Sequence, residues 1–177
     1  MNTSHPSILF LSGAGLPAWI WDDVRDRLRD SYETRVAPSP VGGAAGIRRY
    51  ADAAIGSVPT GRFAIVAHSA GGVVGAEVMR LAPGRVTGLL GVCAIVPRSG
   101  DSFLTAMPAP NRWILSTAMR LAGTRPPESA IRKGLAHGLD GRVADRLIDD
   151  FTPEPQSYYR ERVGEYHTAD ARGYVST

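Results

Sequence analysis

The sequence predicts an α/β fold: a mainly parallel sheet with helices on both faces and a helical insertion late in the chain. Three observations carry that prediction. Short apolar runs alternate with amphipathic, helix-period segments from Ser7 to Val96, the pattern of strand–helix–strand units that build parallel sheets. After Pro97 only helical periodicity follows until a strand-like run at Gly173–Thr177. The 177 residues, 44% apolar and 21% charged, suit one ordinary globular domain with ample core material.

The elements follow in order. Ser7–Leu11 is a continuous apolar run closed by Ser12-Gly13, as expected for a strand buried on both faces. A Gly-rich loop leads to Trp19, Trp21, Val24 and Leu28, which mark one helix face. Thr34–Ala37 reads as a second strand, stopped by Pro38 and Pro40, and Ile47–Val58 as a second helix. Arg62–Ala67 is the third strand. Val73, Val74, Val78, Met79 and Leu81 define the next helix, stopped near Ala82 by Pro83-Gly84. Leu89–Ile95 is the fourth strand, with Cys93 inside it as a small buried hydrophobe. Ser99–Pro110 has loop composition. Trp113–Leu121, Ile131–Leu139, Val143–Phe151 and Tyr158–Tyr166 read as helices. The expected division is residues 1–97 core, 98–166 insertion and 167–177 return to the core.

Composition narrows the function classes. The net charge of +3 comes from scattered arginines, without a basic stripe or interleaved aromatics, which argues against nucleic-acid binding. A lone cysteine excludes an internal disulfide and a multi-cysteine zinc site. The expected cofactor list is empty. The run Ile8–Leu11 is too short for a signal core or a membrane span, so a cytoplasmic protein is the default expectation.

The most informative segment is Ile65-Val66-Ala67-His68-Ser69-Ala70-Gly71-Gly72, at a strand-to-helix junction. A serine with a small residue two places to either side is the nucleophile-elbow pattern. The sharp turn lifts the Ser69 hydroxyl off the sheet and sets it at a helix N-terminus, where free N–H groups can hold a developing oxyanion.

Together, Leu11-Ser12-Gly13-Ala14-Gly15-Leu16 with Trp19 and Trp21, the Ala67–Gly72 elbow, and Ala94-Ile95-Val96-Pro97 followed by helices resemble the α/β-hydrolases. The likeness is to the small esterase and hydroxynitrile-lyase-like branch. It implies Ser69 as nucleophile and the N–H groups of Ala70 and Ala14 as oxyanion donors. It implies a pocket bordered by Gly13, Gly15 and His68, and a small, fairly apolar ester as substrate. Two departures stand out: Ser12 replaces the usual histidine of the loop, and Ala67 the first glycine of the elbow. The resemblance also implies an acid after the strand that follows the insertion and a histidine after the next. On that reading the last strands and helix, on the order of 50 residues, are missing, which predicts self-association through an exposed sheet edge.

Asp101, after the fourth strand, is the substitute acid considered within the chain. The histidines are His5, His68, His137 and His167. None is expected to act as the base, so the expected site is half complete and activity of the 177-residue chain is in question. Two rivals are carried. One is a non-catalytic hydrolase-like module binding a small apolar molecule among Phe103, Met107, Trp113, Met119, Tyr158 and Tyr159. The other is a dinucleotide-binding fold built on Gly13-Ala14-Gly15-Leu16-Pro17-Ala18, which lacks the acidic residue expected at the end of the second strand.

Overall fold

A computed structural model describes residues 7–40, 45–58, 60–166 and 173–176. Five strands form one sheet: β1 (Ser7–Leu11), β2 (Glu33–Val36), β3 (Phe63–His68), β4 (Val86–Val92) and β5 (Gly173–Ser176). Their order is β2-β1-β3-β4-β5, and every pairing is parallel. The expected parallel architecture is therefore present. β1 leads leftward to β2 while β3 lies on its right, so the strand order reverses between β1 and β3. In open parallel sheets, ligands bind beyond the carboxyl ends of the strands at such a reversal. The Gly13 loop and Ser69 leave from those two strand ends.

Helices α1 (Asp22–Leu28), α2 (Ile47–Ser57) and α3 (Gly71–Leu81) connect the first four strands. A 3-10 turn, Ala18–Trp21, precedes α1. α3 is the central buried helix, with every residue from Gly71 to Met79 buried. Such an all-round apolar helix belongs inside a layered core. Among the described residues, five helices lie between β4 and β5: α4 (Phe103–Ala106), α5 (Asn111–Ala122), α6 (Glu128–Lys133), α7 (Gly141–Asp149) and α8 (Gln156–Arg160).

This helical insertion shares one core with the sheet layers. Phe103, Leu104, Met119, Tyr158 and Tyr159 pack in the same buried cluster as Leu9, Ile65 and Val73. One charged and one neutral contact hold its later part. The buried Glu77 carboxylate accepts two bonds from Arg80, at 2.6 and 2.9 Å, and one from Gly164 N–H at 3.3 Å. Ser157 Oγ donates to Ala45 O at 3.0 Å, beside the start of α2.

Several local expectations change. β3 starts and ends one residue later than expected, and α8 stops at Arg160, well before Tyr166. The Ser99–Pro110 loop contains a short helix, α4, closed by a reciprocal capping box between Ser102 and Thr105. The clearest correction is Cys93. It is exposed rather than buried, and its φ is +46°. β4 ends at Val92 because the backbone turns there, and Ile95 N–H donates to Ser69 O at 3.0 Å instead of continuing the ladder.

The two faces of the sheet differ. α2, α3 and the insertion cover one. On the other, a cleft of about 1010 Å³ runs past Phe10, Trp21, Ala64, Val66, Leu90 and Val92. Leu90 is 44% exposed and Val92 37%, unusual for side chains in the middle of a parallel sheet. Among the described residues, no helix is long and apolar enough to cross a membrane.

Candidate active site

The elbow is built by close backbone approach. Ser69 has a φ of +51°, a left-handed conformation that a non-glycine residue holds only when its surroundings impose it. Here Ser69 N–H donates to Val92 O at 3.3 Å, while Ser69 O accepts from Gly72 and Ile95 N–H at 3.2 and 3.0 Å. α3 then begins directly against neighbouring strand ends. A Cβ on Gly71 would lie 2.6 Å from Leu11 O, and one on Gly72 would lie 2.5 Å from Ile95 O. Only hydrogen fits at either position. Ala67, fully buried, faces the core beneath the turn.

The loop after β1 lies against this elbow. A Cβ on Gly13 would sit 3.0 Å from both Ser69 Cβ and His68 Nδ1. Leu16 N–H donates to Gly13 O at 3.0 Å, closing a tight turn that contains Ala14 and Gly15. The sequence-predicted donors, Ala14 and Ala70, thus belong to two chain segments in contact around Ser69. Ala70 is buried at the start of α3, where helix N–H groups have no intrahelical acceptor. Ser12, at the histidine position of the resemblance, accepts from Trp21 Nε1 at 3.0 Å and ties the loop to the 3-10 turn.

His68 is half-buried, and burial lowers its pKa below the usual histidine range. Its Nδ1 is buried without a hydrogen-bond partner among the described residues. His137 is exposed in the turn after α6. His5 and His167 lie outside the described residues. The Asp101 carboxylate accepts from Thr105 Oγ1 at 3.0 Å, while its backbone exchanges contacts with Arg98 and Val163. That side chain is engaged locally, as a turn brace. Among the described residues, the hydrogen bonds place no histidine on it and none on Ser69 Oγ.

A pocket of about 310 Å³ opens beside the loop, between Ser12, Gly13 and Gly15 on one side and Tyr50, Glu154 and Tyr158 on the other. Of the three pocket residues expected from sequence, Gly13 and Gly15 line it and His68 does not. Glu154 is the functional candidate that sequence reasoning missed. It is only 9% exposed and accepts from Tyr50 Oη. Burial raises its pKa above the usual glutamate range, and the Tyr50 hydroxyl partly offsets the rise. Tyr50, facing the same carboxylate, is also raised, chiefly by burial. Glu154 sits in Thr-Pro-Glu-Pro, a stretch without periodicity, so no local signal marks it.

Of the residues expected to line an apolar ligand site, Tyr158 lines this pocket while others pack in the core. Tyr159 and Phe103 are buried in edge-to-face contact at 5.5 Å. Met119 is also buried, whereas Trp113 is 61% exposed. No group of three or more His, Cys, Asp or Glu residues that could hold a metal occurs among the described residues.

Solved structures share this architecture at low sequence identity. An extracellular α/β-hydrolase from a Paenibacillus species superposes with a TM-score of 0.76 at 18% identity, over 90% of this chain and 71% of that one. Polyneuridine aldehyde esterase gives 0.73 at 14% identity, over 97% of this chain and 79% of that one. A pyrethroid hydrolase from Sphingobium faniae JZ-2 gives 0.65 at 19% identity, over 90% of this chain and 72% of that one. No protein-family model and no curated protein matches the sequence.

Proposed function

We propose that this chain, whose fold is that of the α/β-hydrolases, carries the nucleophile and oxyanion half of a serine carboxylesterase site. Ser69 attacks the carbonyl of a small, mostly apolar ester, and the N–H groups of Ala70 and Ala14 receive the developing oxyanion. The observation that carries the reading is the left-handed Ser69 at the head of α3, with the Gly13 loop pressed against it. A non-glycine residue held at that φ, with glycines filling the tight contacts around it, fits a nucleophile elbow better than a connecting turn. The names of the structurally similar proteins, esterases and hydrolases among them, agree with this class.

Serine is a weak nucleophile without a base. The reading therefore needs an imidazole from outside the described residues. β5 ends at Ser176, in register with Val92, whose carbonyl accepts from Ser69 N–H. The test is covalent labelling of Ser69 by a fluorophosphonate, with Ser69→Ala as control. Ligand binding without any labelling would favour the non-catalytic binding module instead. The cytoplasm stays the proposed compartment, on the sequence reading alone, and nucleic acid is not a proposed partner.

Self-association belongs to the same proposal. The open cleft presents Leu90 and Val92 to solvent, and contiguous apolar surface of this kind favours association. Sedimentation velocity is expected to give a concentration-dependent increase in mass, and Leu90→Glu with Val92→Glu to return the chain to monomer. A monodisperse wild-type monomer would contradict this.

A further inference from the structure

The Gly13–Leu16 turn is gripped from both ends. At one end a Cβ on Gly13 would sit 3.0 Å from Ser69 Cβ. At the other, Gly15 lies against the Phe151 ring, where a Cβ would come within 2.6 Å of Cε2 and 2.7 Å of Cε1. The residue after Phe151, Thr152, donates its N–H to Gly15 O at 3.1 Å. With a φ of +76° as well, Gly15 stands where only glycine is admitted. Leu16 packs beside Phe151, with Ile131 and Ile148. Phe151 is buried just beyond the end of α7, and the exposed Arg125 braces it from the surface. The Arg125 guanidinium donates to Phe151 O, donates to Ile148 O at 2.9 Å, and sits 5.6 Å from the Phe151 ring centroid. One cation thus serves carbonyls at the C-terminal end of α7 and is attracted to the ring as well.

We propose that Phe151 is a positioning residue: its ring, with the N–H that follows it, holds Gly15 and so aims the Ala14 N–H at the place where the oxyanion forms. The inference rests on the reading of Ser69 as nucleophile. The Ala14 N–H lies in the planar peptide that joins Gly13 to Ala14. With Gly13 stopped against Ser69 and Gly15 against Phe151, that plane has little room to rotate. Gly13 and Gly15 border the pocket beside the loop, whereas Phe151 stands behind the turn and outside that lining. It therefore acts on the donor rather than on a bound molecule. Oxyanion donors must be placed closely, and a shift of about 1 Å can cost about 100-fold in rate.

The test is the rate constant and the final extent of fluorophosphonate labelling of Ser69, with imidazole added as an external base. The full 177-residue chain is compared with Phe151→Leu, Arg125→Met and Val163→Ala. Leucine keeps an apolar side chain but not the flat ring against Gly15. Methionine keeps a stem like that of arginine but loses both donated bonds and the charge. Val163 is buried in the main core, and its alanine variant thins the packing of the insertion without touching the turn. Phe151→Leu is expected to lower the rate constant by about tenfold or more while the final labelled fraction is unchanged. Arg125→Met is expected to lower it in the same way, by less. Val163→Ala is expected to keep the wild-type rate constant. If Phe151→Leu does not fold, the surface variant Arg125→Met decides.

Folded Phe151→Leu and Arg125→Met variants that label at the wild-type rate would overturn the proposal. So would a reduced labelled fraction at an unchanged rate constant, or an equal slowing in Val163→Ala, because either pattern means that Phe151 only maintains the fold. A folded wild-type chain that takes no label at all would overturn the reading of Ser69 itself, and this inference with it.

Discussion

Gly71→Ala is expected to slow the reaction of Ser69 with a fluorophosphonate by roughly 100-fold or more, the scale of losing an oxyanion donor. The added methyl would lie 2.6 Å from Leu11 O and 2.7 Å from Ser12 O. Both are backbone atoms at the end of β1, which is held by register pairs to β2 and β3. Neither can rotate away as a side chain would, so the head of α3 has to move. That movement carries Ala70 and Ser69 away from the Gly13 loop. Overpacking of this kind costs about 1–3 kcal/mol, so a lowered but measurable melting transition should accompany the loss. Gly56→Ala is the matched control: nothing lies within 4 Å of its added methyl, it sits in α2, and alanine is the better helix former by up to ~1 kcal/mol. That variant should melt at or above wild type and react normally.

Tyr158→Ala is expected to cost about 3–5 kcal/mol, the range for emptying a large buried aromatic site. Tyr158 is 2% exposed and heads the largest fully buried side chains. Its ring meets Tyr50 of α2 edge-on at 4.7 Å and Tyr159 at 5.3 Å, contacts worth about 0.5–1.5 kcal/mol each beyond their area. It therefore joins the insertion to the helical layer on the sheet and also walls the pocket that holds Glu154. Denaturant melts should show a lowered midpoint and, because the insertion loosens first, a broader transition. An unfolding free energy within about 1 kcal/mol of wild type would mean that Tyr158 does little to hold the insertion on the sheet layers.

The parallel strands and the helical insertion were legible in the sequence because each leaves a local periodic mark. Ser7–Leu11 and Phe63–His68 are apolar runs bounded by turn residues, and the run Val73–Leu81 keeps a helical period. The Gly13 and Gly71 contacts were readable as small residues at a turn. What escaped was decided by contacts between distant segments. Cys93 reads as strand interior, yet the chain turns there because Ile95 is needed against Ser69. The α4 capping box hid in a Ser-, Gly- and Pro-rich stretch that composition alone assigns to loop. Glu154 carries no pattern, since its partner Tyr50 lies 104 positions away in the chain. Asp101, whose place after a strand suggested an acid, accepts from Thr105 Oγ1.

The central claim is that Ser69 is a nucleophile held in an elbow, and intact-mass and peptide mapping after fluorophosphonate treatment tests it most directly. The folded 177-residue chain is treated with and without added imidazole, beside Ser69→Ala. The account predicts a single adduct on the peptide that contains Ser69, formed faster with imidazole and absent from the variant. A folded chain with no adduct under either condition, or an adduct that persists in Ser69→Ala, would contradict it.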